Sequence, residues 1–205
     1  CAYPKFVDAP FDEDDLWDGY PEESNAPYGL AKKMMLVLSD AYRRQYGFDS
    51  VVPIVANLYG PNDNFDLESS HVIAAMIRKY VEAHDRDDEP VVLWGTGSPS
   101  REFLYVDDAS RALLLAAERL EVSDPVNVGT GVETRIRDLA ETIERLVGFA
   151  GETVWDATRP DGQPKRYLDI TRARELMGYE PKVSLEEGLG RTIASFREQQ
   201  ASLAR

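Results

Sequence analysis

The chain has 205 residues, of which 43% are hydrophobic, enough to bury a sizeable core as one large domain or parts of two. Its 37 acidic residues outnumber 23 basic ones, giving a formal charge of −14 that repels a phosphate backbone; with no basic stripe to offset it, nucleic acid is excluded as a partner. No apolar run reaches the roughly 18 to 20 residues a bilayer span needs, a single Cys excludes an internal disulfide and fits a reducing cytoplasm, and two His without clustered Cys speak against a metal site.

Hydrophobic period and punctuation predict alternating strands and helices, the pattern of an α/β protein with a mainly parallel sheet. Asn25-Ala26-Pro27 precedes a helix over Tyr28 to Tyr46, whose Leu30, Met34, Leu38, Ala41 and Tyr42 recur on one face before the Gly47 stop. A buried strand follows at Val51 to Val55, then a turn-rich stretch from Tyr59 to Phe65 and an amphipathic helix from His71 to His84. Val91 to Trp94 reads as a strand ending in the Gly95-Thr96-Gly97-Ser98-Pro99 turn, and Phe103 to Val106 as another, with Asp107 or Asp108 placed to cap a helix reaching Leu120. Val126 to Val128 and Thr153 to Trp155 are predicted strands; Arg137 to Val147, Thr171 to Met177 and Leu185 to Gln199 are predicted helices. The charge runs Asp12 to Asp15 and Asp85 to Glu89 read as solvated loops.

Tyr28 and Lys32 carry the first chemical signal. Their i, i+4 spacing puts a phenol and an ammonium on one helix face, where the positive charge favours phenolate and makes the hydroxyl usable for proton transfer to or from an oxygen of a bound molecule. Alone, such a pair is more often an ordinary aromatic beside a solvated lysine; its neighbours give it weight. The order of strand end, variable loop and Tyr-x-x-x-Lys resembles the catalytic stretch of extended short-chain dehydrogenases. The segments Cys1 to Lys5, Asn25 to Lys32, Asn57 to Phe65, Ser70 to Ile73, Trp94 to Asp108 and Pro160 to Gly162 resemble the GDP-L-fucose synthases in more detail and cover essentially the whole chain. Arg101 to Asp108 and Asn127 to Gly131 are shared across sugar-nucleotide enzymes; Cys1, Asp63-Asn64-Phe65 and Ser70 to Ile73 are the matches that select this family.

The resemblance implies a Rossmann-type parallel sheet, of which this chain holds the C-terminal part, joined to a smaller α/β sugar-nucleotide domain. Residues 1–57 and 103–131 would belong to the NADP-binding part, and residues 58–102 and 132–205 to the substrate part, with the active site between them. No strand is followed by the glycine-rich dinucleotide fingerprint, so the first half of such a fold is expected to lie outside this sequence. The implied reaction takes GDP-4-keto-6-deoxy-D-mannose to GDP-L-fucose, inverting carbons 3 and 5 and reducing the ketone with NADPH. Epimerisation beside a ketone needs one group to remove a proton and another to return one, and a thiol and an imidazole both titrate near neutrality.

By resemblance those two roles fall to Cys1 and His71, while Tyr28 protonates the ketone oxygen and Lys32 assists it and binds the nicotinamide ribose. Val55, Asn57, Leu58 and His71 would line the cofactor, and Asn57, Lys79, Trp94, Arg101 and Arg159 would hold the substrate. Lys79 stands where the family often has an Arg, and Arg159 where it usually has a Lys. The helix carrying Tyr28 and Met35 is implied to form a homodimer. A sugar-nucleotide 4-epimerase or 4,6-dehydratase would share Tyr28, Lys32 and Asn57 without needing Cys1 or His71. A silent sugar-nucleotide-binding module is the alternative of another class.

Overall fold

The computed structural model describes residues 1–203 as six α-helices and nine short strands in α/β alternation. Among the described residues no helix is long and apolar enough to cross a membrane. Helix α1 (Ala26–Tyr46) starts with Pro27 in its first turn, where a missing N–H costs nothing, and ends at Gly47 with φ 64°, a left-handed cap. Strands β1 (Val52–Val55) and β6 (Pro125–Val128) pair in parallel, as do β2 (Asn57–Tyr59) with β5 (Phe103–Tyr105) and β3 (Val91–Trp94) with β8 (Thr153–Asp156). Strand β4 (Ser100–Arg101) lies between β7 (Thr134–Arg135), antiparallel to it, and β9 (Lys165–Arg166), parallel to it.

Helices α2 (Val72–His84), α4 (Ile136–Val147) and α6 (Leu185–Leu203) enclose the largest apolar cluster, in which Ile73, Ile77, Tyr80, Leu139, Ile143 and Leu189 are fully buried or nearly so. Burial pushes the Tyr80 phenol up to about 12, although its hydroxyl shares a 3.0 Å hydrogen bond with Thr153. A second cluster packs α3 (Val106–Arg119) and α5 (Thr171–Met177) on the β6 side, around Leu104, Val126, Val128, Met177 and Tyr179. A third seats the N-terminal segment, Tyr3, Phe11 and Leu16, against Leu36 of α1 and Leu168. Helix α1 leaves Leu30, Met34, Met35, Val37, Leu38 and Tyr42 exposed.

Two expectations need correction. Neither Asp107 nor Asp108 caps α3: Tyr105 is its N-cap, and both aspartates lie within the first turn. Asp108 is buried instead, accepting from the Lys182 and Val183 amides at 2.9 Å and pairing with Arg111 at 2.8 Å, so it ties α3 to the chain before α6. Nor is Asp12 to Asp15 a solvated loop. It forms a 3-10 turn closed by a reciprocal capping box, with Glu13 buried where it accepts the Asn127 amide at 2.6 Å and faces Arg172 at 3.6 Å. The charge pattern hid this because Glu13 finds its partners far away in sequence.

Candidate active site

Tyr28 and Lys32 lie one turn apart on α1, the ammonium 5.3 Å from the phenol ring centroid. Tyr28 is 58% exposed. Among the described residues neither its hydroxyl nor the Lys32 amine has a hydrogen-bond or ion-pair partner, so both polar tips are free to meet a ligand. Cys1 is an exposed free thiol held against the same first turn: its carbonyl oxygen packs so closely on Gly29 that a Cβ there would overlap it. Glycine is needed because the two backbones meet.

Beyond Cys1 opens a cleft of about 70 Å³, lined by Cys1, Val55, Asn57, Glu102, Arg166 and Leu168 among others. Three of the predicted residues therefore converge: Cys1 from the start of the chain, and Val55 and Asn57 from the junction of β1 and β2 more than fifty residues on. Asn57 donates from its amide to the Glu102 carbonyl at 2.9 Å, which fixes its orientation at the start of β2. Leu58 is exposed and His71 stands at the exposed N-cap of α2; neither lines the cleft.

The cations fall in three places. Arg101 and Arg166 face each other as registered partners of the parallel β4 and β9, so both side chains leave the same side of the sheet. Burial lowers the pKa of each guanidinium, and the nearby Arg166 charge adds to the effect on Arg101. Arg101 uses one nitrogen on the Ser100 and Gln163 carbonyls, both at 2.7 Å, whereas Arg166 has no hydrogen-bond or ion-pair partner among the described residues. Two adjacent, partly desolvated guanidiniums make a binding place for an anion rich in oxygen. Arg166 was absent from the sequence-derived set, since only the register of a two-residue strand brings it beside Arg101.

At the second group, Arg159 stacks on the indole of Trp94, 4.9 Å from its ring, and lies 3.7 Å from Asp156. Trp94 is 66% exposed, and with Val92 and Val154 it forms an apolar face on the β3–β8 pair. Asp161 closes the loop beside it, accepting the Thr96 amide at 2.7 Å and the Thr96 hydroxyl at 2.8 Å. Lys79 is placed differently: its amine donates to the Val92 carbonyl at 2.8 Å and borders a separate open groove of about 260 Å³ with Glu82, Arg86 and Glu89. Burial lowers its pKa.

Parallel strand pairs flanked by helices, with a Tyr-x-x-x-Lys helix whose first turn packs on Cys1 beside a cleft bearing Arg166, define a Rossmann-type α/β protein. The chain belongs to the NAD dependent epimerase/dehydratase family, whose model matches residues 1–129. It is 45% identical over 211 aligned residues to the GDP-L-fucose synthase of Escherichia coli (strain K12), covering 98% of this chain and 65% of that protein. It is 44% identical over 198 residues to the probable GDP-L-fucose synthase 1 of Oryza sativa subsp. japonica, covering 97% of this chain and 60% of the relative. Among solved structures, a GDP-L-fucose synthetase from Naegleria fowleri superimposes with a TM-score of 0.90 at 30% identity, over 98% of this chain and 64% of the other. The chain thus spans about 60% of the length of the curated relatives it matches.

Proposed function

We propose that this chain carries the catalytic Tyr-Lys helix and the substrate-binding part of an enzyme that converts GDP-4-keto-6-deoxy-D-mannose to GDP-L-fucose by 3,5-epimerisation and NADPH-dependent reduction. The observation that carries this reading is the convergence of the Cys1 backbone with the first turn of α1, at the mouth of a cleft that also holds Asn57 and Arg166. A simple 4-epimerase or 4,6-dehydratase has use for Tyr28, Lys32 and Asn57 but not for a thiol at that place. The curated relatives named as GDP-L-fucose synthases, at 42 to 45% identity, support the same choice.

In this reading Cys1 and His71 exchange protons with the carbons beside the ketone from opposite faces of the sugar. Tyr28 gives its proton to the ketone oxygen, and Lys32 stabilises the phenolate left behind. The partnerless tips of Tyr28 and Lys32 fit a nicotinamide ribose, with the cleft residues Val55 and Asn57 along the dinucleotide; Leu58 and His71, which stand outside the cleft, are assigned to it from the family resemblance alone. The dinucleotide, when bound, supplies the hydride; the Naegleria fowleri protein has been solved bound to NADP. Arg101 and Arg166 hold the diphosphate, Trp94 offers its face to the guanine with Arg159 beside it, and Lys79 and Asn57 complete the substrate contacts. We assign residues 1–57 and 103–131 to the cofactor side and 58–102 and 132–205 to the substrate side. The exposed face of α1 around Met35 is assigned to a homodimer contact.

The test is made on the full-length protein, following NADPH oxidation with GDP-4-keto-6-deoxy-D-mannose and identifying the sugar released. GDP-L-fucose is expected from the wild type. Cys1→Ser and His71→Asn should each slow epimerisation by roughly a hundredfold or more, and Tyr28→Phe should slow reduction similarly, the usual loss on removing an acid or base. A different product, or variants as active as the wild type, would overturn the assignment.

A further inference from the structure

Glu102 is the most deeply buried carboxylate of the described chain, at 1% exposure, and no step of the proposed reaction uses it. It stands between β4 and β5, where one short strand hands over to the next. On one side, β5 pairs with β2 and so with Asn57; on the other, β4 pairs with β9 and so with Arg166. The residue is therefore the joint between the two small sheets that contribute Asn57 and Arg166 to the cleft.

Its hydrogen bonds cross that joint in three directions. The main-chain carbonyl accepts the Asn57 side-chain amide at 2.9 Å. One carboxylate oxygen accepts the Thr130 amide, the Gly131 amide at 2.7 Å and the Thr130 hydroxyl at 3.3 Å, holding the turn that leaves β6. The other accepts the Leu168 amide at 2.7 Å, two residues beyond Arg166. Gly129 has no room for a side chain, because a Cβ would overlap the carboxylate. Burial raises the pKa of Glu102, and these four donors work against that shift. An acceptor-only side chain is what this setting requires: four hydrogen-bond donors converge on two oxygens, and a group with its own N–H would turn donor against donor.

We infer that Glu102 is a positioning residue for sugar-nucleotide binding, setting the separation between Asn57 and the Arg101–Arg166 pair through its bonds to Thr130, Gly131 and Leu168. This rests on the substrate reading above and adds to it a cleft residue whose two carboxylate oxygens are already engaged by Thr130, Gly131 and Leu168. The reactive groups Tyr28, Lys32, Cys1 and His71 make no contact with Glu102 among its hydrogen bonds, so loss of the joint acts on binding more than on chemistry.

The experiment compares full-length wild type with Glu102→Gln, measuring GDP affinity by tryptophan fluorescence, KM for the keto sugar nucleotide, and kcat, with a thermal melt to confirm folding. The wild type should bind GDP. Glu102→Gln should weaken GDP binding and raise KM by roughly tenfold while kcat stays within about threefold, the scale of one lost charge-assisted hydrogen bond. Glu102→Asp, which keeps the charge but withdraws it by one methylene, carries the test if the amide variant does not fold, with the same rise in KM expected. Wild-type KM in a folded variant, or a fall in kcat at unchanged KM, overturns the positioning role and leaves the substrate reading standing. A wild type that binds no GDP overturns both.

Discussion

Single residues differ in how far their surroundings can be read from neighbours in the chain. Tyr28 and Lys32 were legible because helical spacing alone puts them together, and Trp94 was legible as an aromatic at a strand end. Arg166 and Glu102 were not, since the partners that define them lie 65 and 66 residues away at Arg101 and Leu168. Asp161 lies between these cases: the Pro160-Asp161-Gly162 match marked it, but only the structure shows that it clamps Thr96. Those two hydrogen bonds from Thr96 hold the Asp161 carboxyl below the usual aspartate range. A carboxyl lowered in the folded state favours that state above its ordinary pKa of about 3.9, and the contribution disappears as the pH falls through the lower folded value. The Thr96 amide resonance should therefore hold its position down to about pH 4 and shift below it. In Asp161→Asn no such acid step should be seen.

At the scale of elements, the long helices and the longer strands were legible because each shows enough turns or alternations to display its period, although Val51 to Val55, expected as a buried strand, is only half-buried. Strands β4, β7 and β9 were not, because two residues have no period and become strands only through their partners. Glycines of α1 illustrate two unlike reasons for one residue type. At Gly47 the backbone is left-handed and the space around it open, so Gly47→Ala should cost about 1 kcal/mol of stability, read from a urea melt, with activity unchanged. Gly29 lies inside the helix, where alanine is the better helix former, but its Cβ would strike the Cys1 carbonyl. Gly29→Ala should thus leave the melting temperature within a few degrees; if Cys1 reacts as proposed above, epimerisation should fall by about a hundredfold, the effect of moving a reacting group by about 1 Å.

The molecule as a whole is held by three apolar clusters whose members come from distant elements. In the largest, Ile143 on α4 is fully buried in the cluster that also contains Ile77 of α2 and Leu189 of α6. Ile143→Ala should destabilise the protein by about 3 kcal/mol, measured by denaturant unfolding, since three helices share the cavity left behind and none can close it alone. Smaller losses would mean that these helices repack freely. The α/β class, the acidic balance and the Tyr28–Lys32 pair follow from the sequence without a structure, because composition, period and i, i+4 spacing are local properties of the chain. Tertiary structure decided which cations face each other, why Glu13 and Glu102 are buried, and that Cys1, Asn57 and Arg166 share one cleft. Those facts depend on strand register and on packing between segments far apart in sequence, where a shift of one residue would turn each side chain to the opposite face.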